Sequence, residues 1–152
     1  LHRRTELSQR SNERYLDALA AVEDPHPCSR VFDAVARPVV DDGRRFRALR
    51  IGDPEDLALL HAISRGEFAT AGFRNRYIRH LIDPASFTAA PDEQRRRAAK
   101  ITRRIRLLRA HGIIRKIPKT HRYLLTERGQ LLTAALFATR DANIKQLVAL
   151  AA

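Results

Sequence analysis

Twelve basic side chains crowd the stretch from Gln94 to Thr126, and no carboxylate lies among them. They are Arg95, Arg96, Arg97, Lys100, Arg103, Arg104, Arg106, Arg109, Arg115, Lys116, Lys119 and Arg122. The chain has 29 basic and 17 acidic residues and a net charge of +12; outside this stretch the two signs balance. Guanidinium groups at such density suit one kind of chemistry, the holding of a polyanion. Each phosphate they neutralise releases condensed counterions, and an arginine fork also fits guanine O6 and N7. A merely solvated helical face mixes its signs, often as Glu–Lys pairs one turn apart. Thirty-three residues without a carboxylate do not read that way. Nucleic acid is the expected partner.

The run His121-Arg122-Tyr123 holds the ingredients of phosphodiester cleavage, arginines to stabilise a phosphate and a tyrosine to attack it. Against that reading, no second histidine stands at a suitable spacing. Alternation on a short strand also sends His121 and Tyr123 to one side, where Tyr123 packs against the core. The histidines His2, His26, His61, His80, His111 and His121 are scattered, with no pair at ligand spacing. His61 and His80 read as half-buried packing residues. Cys28 has no second cysteine for a disulfide or a metal, and no glycine-rich phosphate loop occurs. Asp41-Asp42 and Asp53, Glu55 and Asp56 read as turn and cap residues. No catalytic residue, metal or cofactor is assigned.

At 152 residues and 44% hydrophobic content the chain is expected to fold as one domain with an attached N-terminal part. No apolar run approaches the roughly 20 residues that span a bilayer, and no signal peptide is visible. With one cysteine, this fits a reducing cytoplasm. There is no methionine, and Leu1 opens inside what reads as a helix, so the sequence is expected to be a piece of something longer.

The cationic residues need elements to carry them. Apolar spacing predicts an amphipathic helix over Thr5 to Val22 and a short one over Cys28 to Val35. Arg37 to Arg50 reads as a β-hairpin turning at Asp41-Asp42-Gly43. Asp53-Pro54-Glu55-Asp56 is a helix start, with Leu57, Leu60 and Ile63 inward and Gly66 closing. Asn75 to Ile82 is predicted as a helix burying Tyr77, Ile78, Leu81 and Ile82. A proline-bounded loop from Asp83 to Pro91 follows. The next helix, about 92–111, places Ala98, Ile101, Ile105 and Leu108 in one stripe, with Arg96, Ala99, Lys100, Arg103, Arg106 and Ala110 opposite. Arg97 and Arg104 flank one edge of the stripe, Arg109 and Thr102 the other. Gly112 stops this helix. A hairpin over about 113–126 with a basic tip leads to a helix from Thr126 through about 127–150, roughly 36 Å long. Leu131, Leu132, Leu136 and Phe137 make that helix apolar on nearly every side, so more than its own small domain must cover it. Leu132, Leu136, Asn143, Leu147 and Leu150 follow a broken 3–4 spacing, the seam of an expected homodimer.

The segment Leu107 to Ile117, followed by Thr120-His121-Arg122-Tyr123-Leu124-Leu125-Thr126-Glu127-Arg128-Gly129, resembles winged helix-turn-helix regulators of the MarR-like kind. The resemblance covers roughly 53–152. Nearly the whole chain is also similar to the C-terminal region of uncharacterised bacterial open reading frames, through Asp53-Pro54-Glu55-Asp56, Gly72-Phe73-Arg74-Asn75-Arg76 and Thr120-His121-Arg122-Tyr123. What the resemblance implies is a mainly α fold with small β-hairpins: a winged helix over 53–152 and a helix-and-hairpin extension over 1–52. It also implies binding to double-stranded DNA in a bacterial transcriptional regulator, without enzymatic activity. The expected groove-facing residues are Arg96, Lys100, Arg103 and Arg106, with Thr102 as a neutral reader. Arg95, Arg97 and Arg104 are expected on phosphates, and Lys119, Thr120, His121 and Arg122 at the wing tip. Two features depart from the compact pattern: the long Asp83–Pro91 loop and the N-terminal extension. A nonspecific DNA anchor or a protein-interaction module of a larger DNA-processing protein is the alternative.

Overall fold

The computed structural model describes residues 28–141, 145, 148 and 149. The expected helix over Thr5 to Val22 lies outside them, as do Asn143, Leu147 and Leu150 of the expected seam. Among the described residues the chain is mainly helical, with two small antiparallel hairpins.

The N-terminal part is a helix, α1 (Cys28–Val35), and a hairpin of β1 (Val39–Asp41) and β2 (Arg44–Phe46). Asp42 and Gly43 sit at φ 47° and 70°, the left-handed pair that a two-residue hairpin turn requires. Helix α2 (Pro54–Ile63) starts where Asp53 accepts hydrogen bonds from the Glu55 and Asp56 amides, both 3.2 Å. It buries Leu57, Leu59, Leu60, Ala62 and Ile63. Gly66 does not close it. Ser64 already serves the last turn, its amide on Leu60 O and its hydroxyl on His61 O, and Gly66 begins a 3₁₀ turn instead.

Helix α3 (Asn75–Ile82) has the predicted bounds but not the predicted burial. Ile78 is fully buried and Ile82 half-buried, one turn apart on the row that meets its neighbours. Tyr77 and Leu81 lie on the adjacent row and stay exposed, with Tyr77 stacked on Phe68. The loop to the next helix contains a 3₁₀ turn (Pro84–Phe87). Gln94 fastens it by donating from Nε2 to Phe87 O and Ala89 O. The long loop thus lies pinned against helix α4 (Pro91–Ala110), on which α3 also packs.

Helix α4 ends in a Schellman motif. Gly112 at φ 71° donates to Arg109 O, and Ile113 donates to Leu108 O. Strands β3 (Ile114–Lys116) and β4 (Tyr123–Leu125) follow, antiparallel. Phe73 adds one further pairing beyond β4, with amide-to-carbonyl bonds of 2.9 Å exchanged both ways with Tyr123. The final helix, α5 (Glu127–Asp141), begins at Thr126. The Thr126 hydroxyl accepts from the Gly129 amide and lies 2.6 Å from Gly112 O. A Cβ at Gly129 would stand 2.1 Å from Ile113 O, so only glycine lets α5 come this close to β3.

One apolar core joins these elements. Phe73, Leu60, Ile78, Ile113 and Leu132 are wholly buried in it, each worth about 1.5–3 kcal/mol. The cover for α5 comes partly from within the chain, because α1 packs on it and brings Val35 into the core. Leu132 and Leu136, which open the expected dimer seam, are buried in this same core.

Candidate nucleic-acid interface

Helix α4 is amphipathic in charge, and its neighbours sort the eight cations it carries into two populations. Ile101, Ile105 and Leu108 pack inward. Arg95, Arg96, Ala99, Arg103, Arg106 and Arg109 are exposed along the other side. Arg95 and Arg96 lie 3.7 and 3.9 Å from Asp92 and Glu93, at 83% and 79% side-chain exposure. Such exposed pairs are worth little in water. Among the described residues, Arg103, Arg106 and Arg109 have no carboxylate partner.

Three of the expected contact residues are engaged elsewhere. Arg97 donates to Glu93 at 2.8 Å and to Asp83 at 2.9 Å, tying α4 to the end of α3. The Glu93 bond and the nearby Asp83 charge raise its pKa further. Lys100 reaches the Glu55 carboxylate at 2.8 Å, and Arg104 binds the same carboxylate. The Arg104 side chain is 12% exposed, and burial lowers its pKa. Glu55 thus holds two cations against the start of α2. Sequence periodicity places Lys100 opposite the buried stripe and Arg97 and Arg104 along one of its edges, all three as contact residues. Carboxylates from α2 and the α3–α4 loop claim them, because ion pairs form wherever packing leaves opposite charges in reach. An open cavity of about 350 Å³ lies among these side chains, lined also by Ala58, Ile82 and Ile101.

The opposite edge of α4 holds a second cavity, about 270 Å³, where Arg74, Asn75 and Arg76 from the start of α3 meet Thr102, His121 and Tyr123. Thr102, expected as a reader, accepts from Asn75 Nδ2 at 2.7 Å and donates to Ala98 O at 3.0 Å. It is a fastener between two helices. Arg74 precedes α3 without capping it by a side chain, and both Arg74 and Arg76 are exposed. Neither was among the predicted contacts. The Gly72-Phe73-Arg74-Asn75-Arg76 run contains them, and the Phe73–Tyr123 pairing brings that run beside the β3–β4 hairpin, which local sequence does not indicate.

At the hairpin tip, Pro118 and Lys119 turn the chain, closed by the Thr120 amide on Ile117 O. Lys119 sits at φ 58°, a conformation that costs a side chain about 1–2 kcal/mol. Lys119 and His121 are exposed. Thr120 is a turn residue, donating to Ile117 O and accepting from the Arg122 amide. Arg122 is turned back, its guanidinium 3.3 and 3.4 Å from the Ala71 and Gly72 carbonyls and facing the Tyr77 ring. Arg115 and Lys116 are exposed along β3.

The histidines follow local packing. His61 stacks on Phe137 at 3.9 Å and His80 meets Phe87 edge-on; both remain exposed rather than half-buried. His111 is buried and donates from Nε2 to Arg47 O at 2.8 Å, a role sequence spacing gave no sign of. Tyr123 packs on Phe73 with ring centroids 5.9 Å apart. Among the described residues there is no cluster of ligating side chains fit for a metal, and no helix is long and apolar enough to cross a membrane. Asp53 is a cap as expected, whereas Glu55 and Asp56 are ion-pair residues. No family model, curated protein or solved structure matches the chain.

Proposed function

We propose that this chain binds duplex DNA as a winged helix, with α4 in the major groove and the β3–β4 hairpin as the wing. The observation that carries the reading is the exposed face of α4, where Arg95, Arg96, Arg103 and Arg106 surround the small residues Ala99 and Ala110. Small side chains at the centre of a cationic face let a helix approach base edges closely, while arginines on either side reach bases and phosphates. A helix of 20 residues is about 30 Å long, and a groove about 12 Å wide admits it. The order α2, Phe73 pairing, α3, α4, β3, β4 also supports the reading, since the wing is then joined to the helices through Tyr123.

In this reading Arg103 and Arg106 address bases, and Arg95, Arg96 and Arg109 address phosphates. Arg74 and Arg76 line an open cavity that a backbone phosphate enters, and Lys119 extends from the wing tip. The biological use is transcriptional regulation in a bacterium, with no catalysis by this chain. Tyr123 packs on Phe73, which favours this reading over strand cleavage.

Fluorescence anisotropy with defined and random duplexes across a salt series tests the proposal. With about six phosphates engaged, log K falls against log salt with a slope near −5. A flat response overturns it. Equal affinity for every duplex turns the reading to a nonspecific anchor. Equal affinity for A-form RNA, whose major groove is too narrow for a helix, removes α4 from the groove.

A further inference from the structure

The N-terminal hairpin lies outside a minimal winged helix, yet it is tied to three neighbouring elements. Arg47, just past β2, makes two hydrogen bonds of 2.8 Å to the Asp56 carboxylate of α2. Its carbonyl accepts from His111 Nε2 at the end of α4. The Leu49 amide donates to Val35 O at 2.9 Å, and β1 itself packs on α4. Three elements thus fix the orientation of β1–β2.

The mounting places the hairpin beside the arginine face. Leu107, one helical turn beyond Arg103, is buried, and so is His111 one turn further. That edge of α4 is where the hairpin docks. The opposite edge carries Thr102, followed one turn on by Arg106, and adjoins His121 and Tyr123 of the β3–β4 hairpin. Arg103 and Arg106 therefore lie between two hairpins.

The outer face of β1–β2 is suited to a duplex. In the register Val39 opposes Phe46 and Val40 opposes Arg45. Val39 and Phe46 are half-buried, while alternation turns Val40 and Arg45 outward, Val40 at 71% exposure. Among the described residues neither Arg44 nor Arg45 has a carboxylate within ion-pair distance. An exposed β-branched residue paired with an unpartnered arginine matches what minor-groove contacts use, an apolar group against sugars and a guanidinium in the groove. The carboxylates of Asp41 and Asp42 at the tip repel phosphate, so the contact is made by this face and not by the tip.

We infer that β1–β2 is a second wing, which lays Val40 and Arg45 against the same duplex on the side of α4 opposite β3–β4. The inference rests on the DNA-binding reading above. It is tested with the whole chain by measuring duplex affinity, salt slope and hydroxyl-radical footprint for three variants. Replacing Arg45→Ala lowers affinity several-fold, makes the slope shallower by roughly 1, and removes protection at one end of the footprint only. Asp42→Asn, whose asparagine tolerates the left-handed turn, raises affinity about twofold to threefold as a repelling charge leaves. Arg103→Ala serves as the reference for α4. If the wild-type chain binds and Arg103→Ala weakens it, while the hairpin variants change neither affinity nor footprint, the second wing is overturned and the α4 reading stands. If the wild-type chain binds no duplex at low salt, the DNA reading fails and this inference falls with it.

Discussion

Arg47 and Asp56 meet through two parallel hydrogen bonds of 2.8 Å, and Asp56 accepts a third from the Arg50 amide at 3.0 Å. The carboxylate is 2% exposed, the guanidinium 41%. Burial pushes the Asp56 carboxyl up, but the Arg47 bond, the Arg50 amide and the nearby positive charges outweigh it and hold it below the usual range. A single buried acid thereby joins the N-terminal hairpin to the start of α2.

Removing one partner of a buried pair strands the other. Arg47 keeps access to water, so we expect Asp56→Asn to cost about 2 kcal/mol, less than the 3–5 kcal/mol of a fully buried pair. Because the folded pKa lies below the ordinary value near 3.9, the wild-type stabilisation is fully present above that value. It fades as pH falls through the lowered folded pKa. Urea denaturation from pH 7 to pH 2 should show the wild-type chain losing stability on the acid side more steeply than Asp56→Asn. Parallel curves would mean that the pair contributes nothing.

The division of cations along α4 predicts unequal alanine effects on duplex affinity. Arg103→Ala and Arg106→Ala are each expected to cost about 1–3 kcal/mol where they meet a base. Arg97→Ala should leave affinity within about twofold, because that side chain is occupied by Glu93 and Asp83. Anisotropy titrations at one salt concentration decide this. Equal losses at positions 97 and 103 would contradict the assignment.

Glu55 holds Lys100 and Arg104, and so subtracts two cations from the field that a duplex would meet in the proposed reading. In Glu55→Gln the amide no longer neutralises them. The salt slope of duplex binding should steepen by roughly 1 to 2, with affinity several-fold higher at low salt. An unchanged slope would show that both cations stay withdrawn without the carboxylate.

Lys119→Gly separates strain from contact at the tip of the β3–β4 hairpin. Relief of the left-handed conformation returns about 1–2 kcal/mol, and the added freedom of the unfolded glycine chain removes about 0.4–1 kcal/mol. The melting temperature should hold or rise slightly while the salt slope becomes shallower by about 0.9. A variant that melts lower and binds as before would place Lys119 in the fold rather than at the nucleic acid.

Much of the local structure was legible in residue order. Asp53-Pro54 started α2, Asp42-Gly43 turned the first hairpin, Gly112 stopped α4 and Thr126 opened α5, each through backbone geometry that depends on near neighbours alone. The cationic character of α4 was equally plain, since charge composition needs no fold. What only the tertiary structure decided was which charges remain available. Arg97, Lys100, Arg104 and Arg122 were read as contact residues, but the structure engages them with Glu93, Asp83, Glu55 and the carbonyls of Ala71 and Gly72. Arg74 and Arg76 came beside Thr102 and His121 through a strand pairing between residues 50 positions apart. Helical periodicity gives the angle of a side chain about its own axis; an ion pair needs a partner within 4 Å. Which partner arrives is fixed by how α2, α3 and the hairpins pack on α4, a relation between distant segments that no local pattern contains.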